Sequence, residues 1–340
     1  MIRNAAILLF AVLLSGCDGS LTEHWPEHNP SQQLKTMGLA SADEYRKQGM
    51  DASLRSQKYS PAGDYLNYGK TVTHRPSPTL KLDAQGVPMV LQAGRFNYSA
   101  GTVAIAALAE HGRYTVSGDS TKFFIMADKL LTLMGPDGAL RYSYPYKHYT
   151  STQMLAVGWT SGMDQGMALS VFARAYELSK DKKWLNAGNL AFKFLQTPYP
   201  DGPKSNLSYL DKSLSGRTFY LEYPTEPNVY TLNGYMFTLL GLYDWAEVAG
   251  SRDAKSEFKD GIETLGKILP YYDMGTFSAY DLSYITHSKL PYLQPRLPHL
   301  VPRYHAIHIA QLRALWSVTD DKKLKEVADK WQGYVEAKAQ

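Results

Sequence analysis

Between Gly216 and Asp244 the sequence GRTFYLEYPTEPNVYTLNGYMFTLLGLYD sets a carboxylate beside a phenol, Glu222 next to Tyr223, in a polar loop that runs into an apolar helix. Pro224 and Pro227 exclude helix and stiffen the chain, so this pair is held in a fixed orientation. Further carboxylates at Glu226 and Asp281 would allow a glycosidase arrangement, in which two acids flank the bond to be cut. The neighbouring loops are dense in aromatic residues: Tyr142, Tyr144, Tyr146, Tyr149, Trp159, Tyr220, Tyr223, Tyr271, Tyr272, Tyr280, Tyr284 and Tyr292. A tyrosine offers an apolar ring face and a hydroxyl, which suits the C–H faces and hydroxyl edges of sugars. One such residue alone more often packs a loop onto a helix; the whole set reads as the wall of a cleft.

Arg95, Arg217 and Arg303 are candidates to meet a substrate carboxylate, because guanidinium donors can reach both oxygens. His305 and His308 lie nearby, three apart on one helix face. That spacing suits a metal, but no acidic or Cys partner accompanies it, so core or substrate contacts are expected instead, with no metal and no cofactor. Trp159 could stack on a sugar and Gln165 opens the helix that follows. Asn233 could bond substrate, or cap or pack its own helix. Gly162 and Gly166 allow another helix or chain to approach closely.

The elements that must position these groups form a repeat. Helical patterns run from Gly101 to Gly112 and on to about Met134, from Gly162 to Leu178 and Lys182 to Leu195, from Val229 to Ala249 and Ala254 to Leu269, and from Tyr304 to Val318 and Asp321 to about Val335. Each pair is divided by a short break in which an Asp or Ser stands ready to cap the second helix. The copies begin roughly sixty to seventy residues apart, which leaves long loops between hairpins. A hairpin with an apolar face must stack on its neighbours, and closing the stack buries its ends. The expected fold is therefore mainly α, an (α/α) toroid over residues 101–340 whose loops gather on one rim. Ahead of it, residues 79–100 read as a β-hairpin and lead-in, with Thr79–Leu82 and Val87–Leu91 as alternating runs about a turn. Residues 17–78 read as a tether and wrapping arm with a short helix near Ala40–Gly49.

Residues 1–16 carry one basic residue, Arg3, then the apolar run Ala5–Leu14, too short to span a bilayer and suited to a secretory leader. The small residues before Cys17 resemble a bacterial lipobox, with Cys17 lipidated and Asp18 resembling an inner-membrane retention signal. The expected location is the cell envelope, at the periplasmic face of the inner membrane. Cys17 is the sole cysteine, so stability rests on the core and not on an internal disulfide. A net charge of +4 without any concentrated basic run argues against nucleic acid and is compatible with an acidic polymer.

Four segments, GWTSGMDQGMALSVFARAYELSKD (Gly158–Asp181), EYPTEPNVYTLNGYMFTLLGLYDWAEVAG (Glu222–Gly250), LPYYDMGTFSAYDL (Leu269–Leu282) and YHAIHIAQLRAL (Tyr304–Leu315), together resemble the catalytic domain of the D-glucuronyl C-5 epimerase family, in its order and with similar spacing. The resemblance extends over most of Gly94 to Gln340. It implies an α/α toroid and a reaction at a hexuronic acid within a polysaccharide, and it is compatible with a homodimer. It carries the proton-transfer roles onto Glu222, Tyr223, Tyr280 and Tyr304, with Glu222 and Tyr304 as the facing pair. Inverting carbon 5 requires one proton-carrying group on each face of the sugar, plus donors for the charge that develops on the carboxylate. A tyrosine acting as the base would need a lowered pKa. The chain departs from the family at Ser283, where an Arg commonly follows the YDL motif; either Arg296 or Arg303 replaces that charge, or the substrate differs. Two further readings use the same residues. A lyase would begin with the same C–H abstraction, and a lipid-anchored binding protein would keep the cleft without the activity.

Overall fold

A computed structural model of the chain describes residues 31–54, 58–150, 154–290, 293 and 296–336. The expected leader, Cys17 and Tyr292 lie outside these residues. Four helical hairpins dominate: α2 (Ala100–Ser117) with α3 (Thr121–Leu133), α4 (Gly162–Ser179) with α5 (Lys182–Leu195), α6 (Leu232–Ala249) with α7 (Arg252–Tyr272), and α8 (Pro302–Thr319) with α9 (Lys322–Glu336). They are preceded by α1 (Gln32–Lys47). The chain is thus mainly α, an (α/α) toroid of stacked hairpins.

The breaks inside the hairpins share one chemistry. The residue closing each inner helix, Gly118, Lys180, Gly250 or Asp320, takes the left-handed conformation and turns the chain back sharply. The next polar residue starts the outer helix: Asp181 accepts from the Lys183 amide, Ser251 from Ala254 and Asp321 from Lys323. In the first hairpin Ser120 holds the cap position without making the bond, and Asp119 accepts the Thr121 amide.

Inner and outer helices differ as their positions require. In α6 every side chain from Leu232 to Leu242 is buried, so its sequence is apolar nearly all round. In α9 only Leu324, Ala328, Trp331 and Val335 are buried, a single stripe at helical spacing. The inner helices α2, α4, α6 and α8 pack side by side in that order, each backed by its own outer helix. Where α4 crosses α6 the backbones nearly touch: a Cβ on Gly166 would stand 3.1 Å from the Thr238 Cβ and closer still to its Cα. Arg174 and Asp244, deep in the two helices, form an ion pair at 2.6 Å with both side chains fully buried. Contacts thus join early turn to early turn and late turn to late turn, so the inner helices run parallel.

The opening between α8 and α2 is filled by the arm. The turn Tyr65–Asn67 packs on both helices, the short helix Tyr68–Thr71 lies on α2, and α1 packs on α8 and α9. Upstream, the arm crosses the far ends of the inner helices: the Tyr59 hydroxyl donates to Asp244 at 2.8 Å, Arg174 donates to the Ser60 carbonyl, and the Tyr59 amide donates to Ser317 Oγ. The segment before α2 is a three-stranded antiparallel sheet, β1 (Leu80–Leu82), β2 (Pro88–Gln92) and β3 (Arg95–Asn97), with Leu80 opposite Val90 and Val90 opposite Asn97. The third strand extends the expected hairpin. No helix among the described residues is long and apolar enough to cross a membrane.

Candidate active site

The site lies where the inner helices begin. Loop strands are laced across these N-termini by backbone hydrogen bonds: Gly162 N donates to Leu221 O at 2.7 Å, Leu232 N to Tyr280 O at 3.1 Å, Leu282 N to Val229 O at 2.7 Å, and Tyr280 N to His299 O at 2.8 Å. First-turn amides that a helix leaves unpaired are satisfied by these loops, which fixes the side chains the loops carry. Two antiparallel pairs frame the region: β4 (Tyr146–Lys147) with β5 (Met154–Leu155), and β6 (Lys204–Asn206) with β7 (Thr218–Tyr220).

Glu222, Tyr223, Tyr280 and Tyr304 come together here. Glu222 is 4 % exposed, and its Oε2 has no hydrogen-bond partner among the described residues. It sits against the first turn of α6, where a Cβ on Gly234 would fall 2.7 Å from the Glu222 Cβ. Burial pushes its carboxyl up to about 8, and the nearby charges of Asp164 and Asp281 push the same way; the hydroxyls of Tyr223 and Tyr280 stand close enough to draw it partly back. The Tyr280 and Tyr304 rings lie 4.2 Å apart. Burial, then the neighbouring carboxylate of Glu222, raises all three phenols above their ordinary value. A phenol so placed stays protonated, which makes it a donor; none has the lowered pKa that service as a base would require.

An aromatic wall continues outward. Trp159 stacks on Tyr142 at 3.9 Å and lies 5.6 and 6.2 Å from Tyr146 and Tyr223, so it belongs to a continuous stack and is not an open platform. Tyr146 stacks on Tyr223 at 5.6 Å. Tyr149 donates to the fully buried Asp281 and pairs with His299 Nδ1 at 2.9 Å. Arg296 sits 5.5 Å over the Tyr149 ring, making it the arginine the fold brings to this wall. Ser283 is buried at 1 % exposure, and its amide donates to Asp281 at 2.8 Å.

The remaining expected residues divide. Asn233 is buried one position before Gly234 with its Oδ1 unpartnered, while its carbonyl accepts from Gln311. Arg303 is exposed beside Tyr304 and Tyr68 and favours the charged form of both. Arg95 is exposed on β3 and donates to the Ser143 carbonyl, short of the cluster. Four residues serve the scaffold instead. Arg217 pairs with Glu263 on the outer helix α7, in a groove lined by Lys267 and Lys323. Gln165 uses its amide on Leu140 N, Gly138 O and Ala191 O, pinning the turn that follows α3 against α4 and α5. His305 accepts the Ser278 amide at Nδ1 and donates from Nε2 to Trp331 O, with its ring stacked 3.9 Å over Phe277; His308 meets the Ser278 hydroxyl. Both imidazoles are held neutral by burial and face the core. Glu226 is exposed and accepts from Tyr199, so it is no partner for Glu222 across a glycosidic bond.

Asp164 was not foreseen. Fully buried in the first turn of α4, it accepts from Tyr142 and from the Gly101 amide at 2.9 Å, and burial pushes it up to about 6. His148 was missed as well, although the alternation Tyr142, Tyr144, Tyr146, His148, with intervening residues mostly exposed, was its signal. Among the described residues no group of three or more His, Cys, Asp or Glu side chains converges to hold a metal ion.

A family model described as the D-glucuronyl C5-epimerase C-terminus matches residues 134–333. The D-glucuronyl C5-epimerase of Caenorhabditis elegans is 28% identical over 261 residues, covering 70% of this chain and 40% of that protein. An uncharacterized protein of Methanocaldococcus jannaschii is 28% identical over 194 residues, covering 56% of each. The chain therefore spans about half the length, or less, of these curated relatives. Among solved structures, a family 76 glycoside hydrolase from a bovine Bacteroides thetaiotaomicron strain covers 72% of this chain and 49% of its own at 9% identity and a TM-score of 0.45, and a polysaccharide lyase covers 69% and 58% at 11% identity and 0.41.

Proposed function

The chain belongs to the D-glucuronyl C5-epimerase C-terminal family, whose model matches more than half of it, and from that premise we propose that it inverts carbon 5 of hexuronate residues within an acidic polysaccharide, of the D-glucuronate to L-iduronate type. The observation that carries this reading is a buried Glu222 with one oxygen unpartnered among three protonated phenols.

The chemistry follows from that arrangement. The ionised Glu222 carboxylate, desolvated and so a stronger base than in water, takes the proton from carbon 5 on one face of the ring. The electron pair left behind is shared with the adjacent carboxylate, which gains charge and needs hydrogen-bond donors. Tyr304 returns a proton from the opposite face, leaving a phenolate opposite a neutral Glu222. Tyr280, its ring 4.2 Å from that of Tyr304 and its hydroxyl within reach of Glu222, relays the proton back and resets the pair, and Tyr223 braces the carboxylate. The leader and Cys17 support a lipid-anchored enzyme on the periplasmic face of the inner membrane, tested by fatty-acid labelling of the wild-type protein and a Cys17→Ser variant.

The test of function is incubation with heparosan and other uronate polymers in heavy water. Deuterium at carbon 5 without chain cleavage is the expected result. A UV-absorbing unsaturated product would mean a lyase, and binding without any exchange would mean a non-catalytic binding protein; either overturns the proposal.

A further inference from the structure

His148 carries a hydrogen-bond donor that no other described residue uses. Its side chain is 1 % exposed. The Thr150 backbone amide donates to Nδ1 at 3.3 Å, and the Thr150 hydroxyl lies 2.7 Å from the same atom. An amide can only donate, so Nδ1 is the acceptor and the ring proton sits on Nε2. Nε2 has no partner among the described residues. A buried N–H left unpaired is costly and rare, and is retained where something else completes it.

The surroundings say what that partner is. The imidazole lies 4.5 Å from the Tyr223 ring, 4.6 Å from Tyr149 and 6.4 Å from Tyr146, so it stands in the site wall beside the Glu222–Tyr223 pair. The charged groups around it are Asp281, already engaged by Tyr149 and the Ser283 amide, and the cation of Arg296, with His287 and His299 near as well. His287 Nε2 is spent on the Thr150 carbonyl and His299 on Tyr149. Ser283, a neighbour of the Tyr149 hydroxyl, supplies no cation. Desolvation holds His148 down at about 4, which keeps the ring neutral.

We propose that the Nε2–H of His148 binds a carboxylate oxygen of the hexuronate whose carbon 5 is inverted. The inference rests on the function proposed above and names the group that reads the acid. A neutral donor suits the task. It strengthens its bond as negative charge grows on the carboxylate during proton abstraction, yet it has no proton acidic enough to be lost to that charge or to Glu222. His148 thus selects a uronate over a neutral sugar in the same pose.

The test measures binding, so that it does not depend on turnover. A heparosan oligosaccharide is compared with its carboxyl-reduced counterpart, in which glucose replaces glucuronate, on the wild-type chain, His148→Phe and His148→Gln. Wild type is expected to prefer the uronate probe at least about tenfold, the Phe variant to lose that preference while binding the reduced probe as wild type does, and the Gln variant, which keeps an N–H at similar reach, to recover part of it. Undiminished preference in His148→Phe, or equal binding of both probes by wild type, overturns the inference. A wild-type chain that discriminates through His148 but exchanges no C5 deuterium would instead overturn the epimerase reading while leaving the contact between His148 and a uronate carboxylate standing.

Discussion

Glu222 rests directly on Gly234: a methyl group at position 234 would fall 2.7 Å from the Glu222 Cβ and closer still to Oε2. The first turn of α6 therefore gives up a side chain so that the carboxylate can lie on it. Gly→Ala inside a helix ordinarily stabilises by up to about 1 kcal/mol. At Gly234 the expected outcome is a folded protein whose C5 exchange falls at least about tenfold, because the base is displaced from its seat. Gly266→Ala in α7 is the control. Its nearest neighbour would be Lys323 Cδ at 3.9 Å, so it should gain stability with exchange unchanged.

Glu222 also sets a pH dependence. Its carboxyl is raised from an ordinary 4.5 to about 8, so between those values the folded chain holds a proton that the unfolded chain has released. Stability from this group is therefore lost as pH rises through that window. Glu222→Gln does not titrate, and its melting temperature relative to wild type should climb from pH 5 to pH 9. Asp164, raised in the same direction, is present in both proteins and cancels. Parallel melting curves would contradict the assignment. Exchange activity of wild type should rise toward pH 8, and the Gln variant should lose roughly 10²–10⁴-fold.

The Arg174–Asp244 pair lies at the opposite end of the inner helices from the site. Asp244→Ala leaves a buried guanidinium without its counter-charge and should cost about 3–5 kcal/mol in a denaturant melt. Replacing both residues together, Arg174→Met with Asp244→Leu, should cost far less, and exchange per folded molecule should stay close to wild type in the double variant.

Two arginines that look alike in the sequence should behave differently. Arg217 is held by the partly exposed Glu263 on the outer surface, so Arg217→Ala should leave KM unchanged and cost less than about 1 kcal/mol. Arg296 lies over Tyr149 in the site wall, and Arg296→Ala should raise KM for a polyanionic substrate, with the difference shrinking as salt is added.

The hairpins were legible because their breaks carry local chemistry that needs no tertiary help. Gly250 followed by Ser251 specifies a reversal and a new helix on any scaffold. Helix ends decided by other parts of the fold were harder to place. Val229–Thr231 continue the apolar pattern of α6, yet they stay outside it: Tyr230 takes a positive φ of 51°, the Val229 carbonyl accepts from the Leu282 amide, and the Leu232 amide donates to Tyr280. The first turns of α1 are polar and give no period, so that helix begins at Gln32 and not near Ala40. In the site, the four proton-carrying residues were carried by motif and the fold brings them together. The supporting polar residues were not legible, because sequence shows polarity without partners. His305 and Gln165 look like site residues and prove to be internal braces, whereas Asp164 looks like a helix-start carboxylate and lies beneath the site.

The arm that fills the gap between α8 and α2 also orders events in time. Tyr59 meets Ser317 across 258 residues of chain, so the arm is made early and its partner is made near the end. During synthesis the first three hairpins must wait with one flank of the ring uncovered until α8 emerges. Closure is then a late, long-range step of the kind that slows folding and leaves apolar surface open to other chains meanwhile. A change at Tyr59 would be felt first in the yield of folded protein from the cell, and only secondarily in the enzyme that survives.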